Sequence, residues 1–255
     1  MRFALVNGQR QEAHPGLSGE CRGCGKPVVA KCGEVRVWHW AHKGRLLCDP
    51  WWENETEWHR AWKNQFPDDW QEIIHTAEDG QRHIADVKSG DGWVIEFQHS
   101  YIPSEERRSR DAFYPKLIWV VDGTRRKRDK AQLINAWEKG APVGQSSLVR
   151  KAFSDECGLL REWAGSNAPI FFDLGVEALW WLFARNTTGS AYLAPLSRAH
   201  FILCHRSPAT EAARQFDAFV KDVPKLIAEY ESNLRAQPLR WDPLQPRRPR
   251  RNFRF

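Results

Sequence analysis

Asp86 and Glu96 are the carboxylates whose setting implies chemistry. They lie in two β-prone runs, Arg82–Lys88 and Trp93–Ser100, that flank Ser89-Gly90-Asp91-Gly92, a hairpin signature. Trp93, Ile95 and Phe97 alternate with Val94, Glu96 and Gln98, so one face is apolar and the other carries acid and amide. Ala85 and Val87 join the apolar face, which sends Asp86 to the side of Glu96. A two- or four-residue loop centred on Gly90-Asp91 would set Asp86 opposite Ile95 and part the two acids. A three-residue loop or a bulge would set Asp86 opposite Val94, diagonal to Glu96, and burial selects this register. Two crowded carboxylates repel unless a cation lies between them, and a hard, oxygen-loving ion such as magnesium suits that place.

A second set is softer. Cys21-Arg22-Gly23-Cys24 is a knuckle, and Trp38-His39-Trp40-Ala41-His42 follows with fourteen residues between the Cys and His pairs. Cys21, Cys24, His39 and His42 fit a tetrahedral structural zinc site. The histidines are closer than those of a common finger helix, which suggests an extended segment or a tight turn. Cys32 and Cys48 are spare sulfurs, either of which could replace a histidine. The alternative is a set of buried thiols and ordinary histidines. A bound ion would hold a segment too short to build a core alone.

The elements that must position these groups read as follows. Arg2–Val6 is a short strand. Asp49-Pro50 is a helix start, an Asp cap before a first-turn proline, and the helix runs to Phe66 with Trp51, Trp58 and Trp62 close to one stripe. Glu57 borders that stripe, where it could look over the hairpin; the alternative is a solvated helix charge. Gln71–Glu78 is a strand, Pro103–Tyr114 a helix, and Leu117–Val121 a strand buried on both faces. Another helix spans Lys127–Glu138. This order predicts an α/β sandwich with a mixed sheet flanked by helices. Residues 139–150 read as a linker. Beyond it come a helix at Ser154–Trp163, strands at Pro169–Leu174, Ala178–Ala184 and Ala199–Cys204, a break at residues 186–190, and a last helix from Phe216 to Leu234. That third of the chain shows no catalytic constellation; Cys157 and the Cys204-His205 pair read as packing residues. The expected division is an N-terminal zinc module at 1–49, a core at 50–140, an α+β domain at 151–237 and a basic Pro/Arg-rich tail at 238–255.

Composition sets the bounds. The chain of 255 residues is 42% hydrophobic and 12% aromatic, with 14 Trp against 1 Met, enough to build cores and incompatible with a disordered chain. A formal charge of +6 and a pI near 9.1 admit a polyanionic partner without demanding one. No apolar run reaches the length of a membrane span, so the expectation is a soluble, cytoplasmic protein whose six cysteines bind metal or pack rather than pair.

Taken together, the early Cys-x2-Cys, His39-Trp40-Ala41-His42, Glu57-Trp58-His59, Ile84-Ala85-Asp86-Val87 and Glu96-Phe97-Gln98-His99-Ser100 resemble the CoiA-like competence proteins. That family is similar in turn to the PD-(D/E)xK nuclease superfamily. The likeness covers roughly residues 15–130 and leaves out the C-terminal third. It implies a restriction-endonuclease-like sheet and metal-dependent hydrolysis of phosphodiester bonds in DNA. Asp86 and Glu96 would bind Mg²⁺ or Mn²⁺ and Glu57 would complete the acidic cluster. Gln98 stands where the superfamily usually has lysine. An amide there can orient water but cannot carry charge or act as a base at neutral pH. Either the metal suffices, or Lys63, Lys88 or Lys116 supplies the missing cation, or the module binds DNA without cutting it. Arg82, His83, Arg107 and Arg108 are candidate DNA contacts. The main rival is a nonenzymatic zinc-containing nucleic-acid-binding protein, with exposed tryptophans as stacking platforms. A zinc hydrolase or deaminase lacks its motif here, since no His-Glu-x-x-His is present.

Overall fold

In the computed structural model, the described residues are 1–236 apart from 45–47, 52–53, 79, 145, 164, 186–188 and 208–209. The expected basic tail at 238–255 and most of the break at 186–190 lie outside them. Two sheets organise the chain. Strands β1 (Phe3–Val6), β2 (Gln9–Glu12), β3 (Ser18–Glu20), β4 (Pro27–Lys31) and β5 (His39–His42) form an antiparallel sheet in the order β2-β1-β3-β4-β5. Its small core gathers Ala4, Val6, Ala13, Val28 and Trp40.

The second sheet has nine strands. Helix α1 (Glu57–Lys63) precedes β6 (Gln71–Thr76), β7 (Arg82–Lys88) and β8 (Val94–Gln98), which are antiparallel neighbours. Helix α2 (Ser104–Phe113) then crosses over to β9 (Leu117–Asp122), which lies parallel to β8. Every residue of β9 is buried, as its unbroken apolar run requires.

After α3 (Asp129–Lys139), the expected linker is instead strand β10 (Ala141–Val143) and the start of β11 (Ser146–Phe153), paired antiparallel. Past α4 (Gly158–Trp163), β12 (Ile170–Asp173) docks parallel on β9, and β13 (Ala178–Arg185) and β14 (Ser190–Ser197) continue outward to β11. The sheet therefore runs through the boundary expected between 140 and 151, because β9 offers a fully apolar strand that needs a neighbour on each side. Residues 199–204, expected as a strand, belong to α5 (Arg198–Arg206). Ser197 caps it by accepting from the His200 amide, and Phe201, Cys204 and His205 recur on its buried side at helical spacing. The last helix, α6, spans Glu211–Ala236.

Both faces of the large sheet are covered. Trp62 of α1, Phe201 of α5 and Phe216 of α6 pack on Val87, Ile95, Phe97 and Phe171. Tyr114 after α2, Leu133 of α3 and Leu160 of α4 pack on Val94, Trp119 and Phe172. The face of β8 that carries Glu96 and Gln98 thus lies beneath α2, and all five β8 residues are buried. No helix among the described residues is long and apolar enough to cross a membrane.

Candidate active site and metal centre

The site follows from where β7 and β8 stop pairing. Ser89 donates its amide to the Trp93 carbonyl (2.8 Å), which closes a three-residue loop centred on Asp91, with Gly92 at φ +88°. The ladder then pairs Lys88 with Val94 and Val87 with Ile95. Continued, that register sets Asp86 across from Glu96 rather than from Val94, a shift of two residues that keeps both acids on one side. Beyond Val87 the strands part, and side chains take over from the ladder. The Asp86 amide donates to Glu96 Oε1 (3.3 Å), and the Phe97 amide donates to Asp86 Oδ2 (3.0 Å). Asp49 Oδ2 accepts from the Ile84 amide (2.8 Å). Carboxylates thus satisfy backbone donors that a neighbouring strand would otherwise have paired.

The parted strands open a small cavity of about 70 Å³. Asp86, Glu96, Glu72 and Glu55 line it together with Lys63, His59, Arg110 and Tyr114. Lys63 Nζ lies 3.0 Å from Asp86 Oδ1 and 3.5 Å from both Glu55 Oε1 and Glu72 Oε1. Burial disfavours its charge, but Asp86, Glu55 and Glu72 outweigh that and hold the ammonium above its ordinary range. Arg110 Nη1 sits 3.0 Å from Glu96 Oε2 and also pairs with Glu106. Burial, with the Asp86 charge beside it, pushes the Glu96 carboxyl up to about 8. Burial opposes ionisation of Glu55 as well, yet Lys63 and Arg60 draw it down to about 2. Glu72 takes a left-handed backbone (φ +49°) and accepts from the amides of Arg2 and Phe3, which ties the small sheet to the cavity.

The acid from the helical side is therefore Glu55, not Glu57. Glu57 is exposed, and the reason is where α1 begins. Asp49 makes the local cap-type bond, accepting from Trp51 N, but its carboxylate also holds His83 Nδ1 and Ile84 N, and the helix does not begin at Pro50. Thr56 is the cap, in a capping box with His59, so α1 starts seven residues later than the Pro50 signal implies. Trp51 consequently stacks on His83 (ring centres 3.3 Å apart) instead of joining Trp58 and Trp62 on the helix. Gln98 is 3% exposed and donates Nε2 to the Ser100 carbonyl (3.2 Å). Of the three candidate lysines, Lys63 reaches the acids, whereas Lys116 bonds Asp91 and Asp217.

Among the expected DNA contacts, Arg82 and Arg108 are exposed, but His83 and Arg107 are not. His83 is buried between Asp49 and Trp51. Arg107 is buried with its guanidinium on the Glu162 carbonyl and over the Trp163 ring. Glu55, Glu72 and Arg110 escaped sequence reasoning. The i, i+3 spacing of Arg107 and Arg110 on the buried side of α2, with Tyr114 just after it, was the signal that could have found Arg110.

The cysteine cluster closes differently from its expected ligand set. Cys21, Cys24, His42 and Cys48 bring their donor atoms within 4.8 Å of one another. Cys21 Sγ lies 3.7 Å from Cys48 Sγ, and Cys24 Sγ lies 3.3 Å from His42 Nε2. Zinc–sulfur bonds of about 2.3 Å at tetrahedral angles place two sulfurs roughly 3.8 Å apart, so this Cys3His set can hold a zinc-type ion. His39 is excluded by parity. On β5, residues 39 and 42 point to opposite faces, and His39 Nδ1 instead contacts the Val37 carbonyl (2.8 Å). Cys48 takes its place.

For a hard ion, the acid cavity offers the right donors, carboxylate oxygens. Its lining also includes the Tyr114 hydroxyl, buried with no hydrogen-bond partner, an orphan that a hydrated cation or ordered water would satisfy. Lys63 and Arg110 stand between the acids, however, and among the described residues no three pocket carboxylates draw together as the Cys3His donors do. A hard cation held there would have to displace Lys63 from Asp86 Oδ1. Comparison of the chain with family models, with characterised proteins and with solved structures yields no match.

Proposed function

We propose that this chain is a metal-dependent nuclease that hydrolyses phosphodiester bonds in DNA, with a restriction-endonuclease-like core formed by α1, β6–β8, α2 and β9. The observation that carries the reading is the joint placement of Asp86 and Glu96 where β7 and β8 separate, with Lys63 against Asp86. The order helix, three antiparallel strands, helix, parallel strand supports it. Asp86 and Glu96 would hold Mg²⁺ or Mn²⁺, with Glu55 as the third acid. The bound ion supplies an acidified water and neutralises charge growing on the phosphate. Lys63 brings the fixed cation that Gln98 cannot, and because its neighbours keep it protonated it acts as a charge, not a base. Arg110 holds Glu96 in place from α2.

The nonenzymatic nucleic-acid-binding reading draws its support from Lys63 and Arg110 themselves, since ion pairs of this kind also occur as purely structural networks. Cleavage of labelled single- and double-stranded DNA in Mg²⁺ or Mn²⁺ by the wild type beside Asp86→Asn and Glu96→Gln decides between them. The nuclease reading expects cleavage lost by about a hundredfold or more in both variants with the fold retained. Binding with no cleavage by any form, or equal cleavage by all three, would sink it.

A further inference from the structure

Beside the acid cavity lies a second, open cleft of about 320 Å³ that shares Trp51 and Arg110 with it. Its other walls include Asn54, Gln98, Ser100 and Tyr101. Gln98 is the informative residue. Its side chain is mostly buried in the cleft wall and spends one amide hydrogen on the Ser100 carbonyl. An amide has two such hydrogens and a carbonyl oxygen, so Gln98 retains a donor and an acceptor side by side. That pairing is what reads the edge of a nucleobase. Tyr101, 64% exposed on the rim, supplies an aromatic face, and Asn54 and the Ser100 hydroxyl add polar groups. The cleft is large enough for a base with its sugar.

We infer that this cleft is a subsite for one unstacked nucleobase of a single DNA strand, stacked on Tyr101 and read by Gln98, beside the phosphate held at the acids. The inference rests on the nuclease reading and sharpens it, because a base inside a duplex is stacked and paired and cannot present its edge to Gln98. It also gives position 98 a task, offering a donor and an acceptor together, that a donor-only lysine could not perform.

The test is abasic scanning of a fluorescent single-stranded octamer, with calcium replacing magnesium so that the strand stays intact. For the wild type, removing the base at one position should weaken binding about tenfold, and the matching duplex should bind at least tenfold more weakly than the single strand. In Tyr101→Ala that position should lose its effect, whereas Tyr101→Phe should keep it. Gln98→Leu should keep the stacking contribution and lose discrimination among the four bases. Tyr101 is on the surface, so its variants are not expected to unfold. If no position responds in the wild type, if the response survives in Tyr101→Ala, or if Gln98→Leu still discriminates among the four bases, the subsite is refuted. Cleavage of the same octamer in magnesium would in that case leave the nuclease reading standing; absence of both binding and cleavage would remove the two together.

Discussion

The cysteine cluster and the acid cavity meet at consecutive residues, Cys48 and Asp49, yet they handle charge in opposite ways. In the first, four donors face one another, and among the described residues no cationic side chain is paired with them, an arrangement that could hold a soft divalent ion. In the second, each oxygen of Asp86 and Glu96 already has a partner: Lys63, the Phe97 amide, the Asp86 amide or Arg110. One site has the donors to take a metal ion and, among the described residues, no side-chain partner that an ion would have to displace. The other is neutralised by side chains that metal would have to displace. A structural ion can be locked in for the life of the fold, whereas on the proposed nuclease reading the ion must be able to enter, and Lys63 on Asp86 would be a reversible stopper.

The largest effect should come from stripping the first site. Zinc binding in small modules contributes on the order of 10 kcal/mol to folding, and the sheet of β1–β5 has little core of its own. Cys24→Ser, or treatment with a strong chelator, is expected to release one equivalent of zinc and to abolish amide protection across residues 3–42. Because Arg2 and Phe3 donate to Glu72, protection in β6 should fall as well. Full protection after metal loss, measured by hydrogen exchange, would mean the cluster is an ordinary group of thiols.

Next is Lys63→Met, which unplugs the second site. Removing one partner from a buried ion pair costs about 3–5 kcal/mol, since Asp86 and Glu55 are left facing each other. Millimolar magnesium should return more stability to this variant than to the wild type, as the ion takes the vacated place. Equal metal-induced shifts in melting temperature would show that lysine and ion do not compete.

A smaller effect distinguishes the sites by pH. Glu96, with an ordinary value of 4.5, is raised to about 8 in the folded protein, by burial first and Asp86 second. The folded state therefore keeps a proton that the unfolded chain gives up, so this group's contribution to stability is full below 4.5 and drains away as pH rises towards 8. Against Glu96→Gln, the wild type should lose up to about 1.4 kcal/mol per pH unit across that window. Binding of magnesium at pH 7 should also release close to one proton, measurable by calorimetry in buffers of different ionisation heat. A flat difference between the two proteins would remove Glu96 as the protonated acid.

The contrast between the two sites also governs what the sequence disclosed. Alternation along Trp93–Gln98 sufficed to bring Asp86 and Glu96 to one side, and the Cys-x2-Cys knuckle gave half of the soft site. What stayed hidden depended on partners distant in the chain. Asp49 looked like a cap because its true bonds, to His83 and Ile84, cross 34 and 35 positions. That misplaced the helix start and put Glu57 where Glu55 belongs. Residues 139–150 looked like a linker because β11 is a strand by virtue of β14 beside it, and β10 by virtue of β11. His39 was the one error that local rules could have prevented, since three positions along a strand always reverse the face.

The smallest expected effects probe those two corrections directly. His39→Ala should leave zinc content at one equivalent and stability within about 0.5 kcal/mol, as for most exposed or half-exposed positions, whereas His42→Ala should lower zinc affinity steeply. Glu57→Ala removes a first-turn charge that favours the α1 dipole by about 0.3–1 kcal/mol and should change nothing else. Glu55→Gln is the sharp member of the pair, because it takes charge from between Arg60 and Lys63. If Glu57→Ala impaired metal binding as much as Glu55→Gln, the cavity would have to draw its third acid from the helix after all, and the lysine that now bridges Glu55 and Asp86 would lose its part in keeping the two sites different.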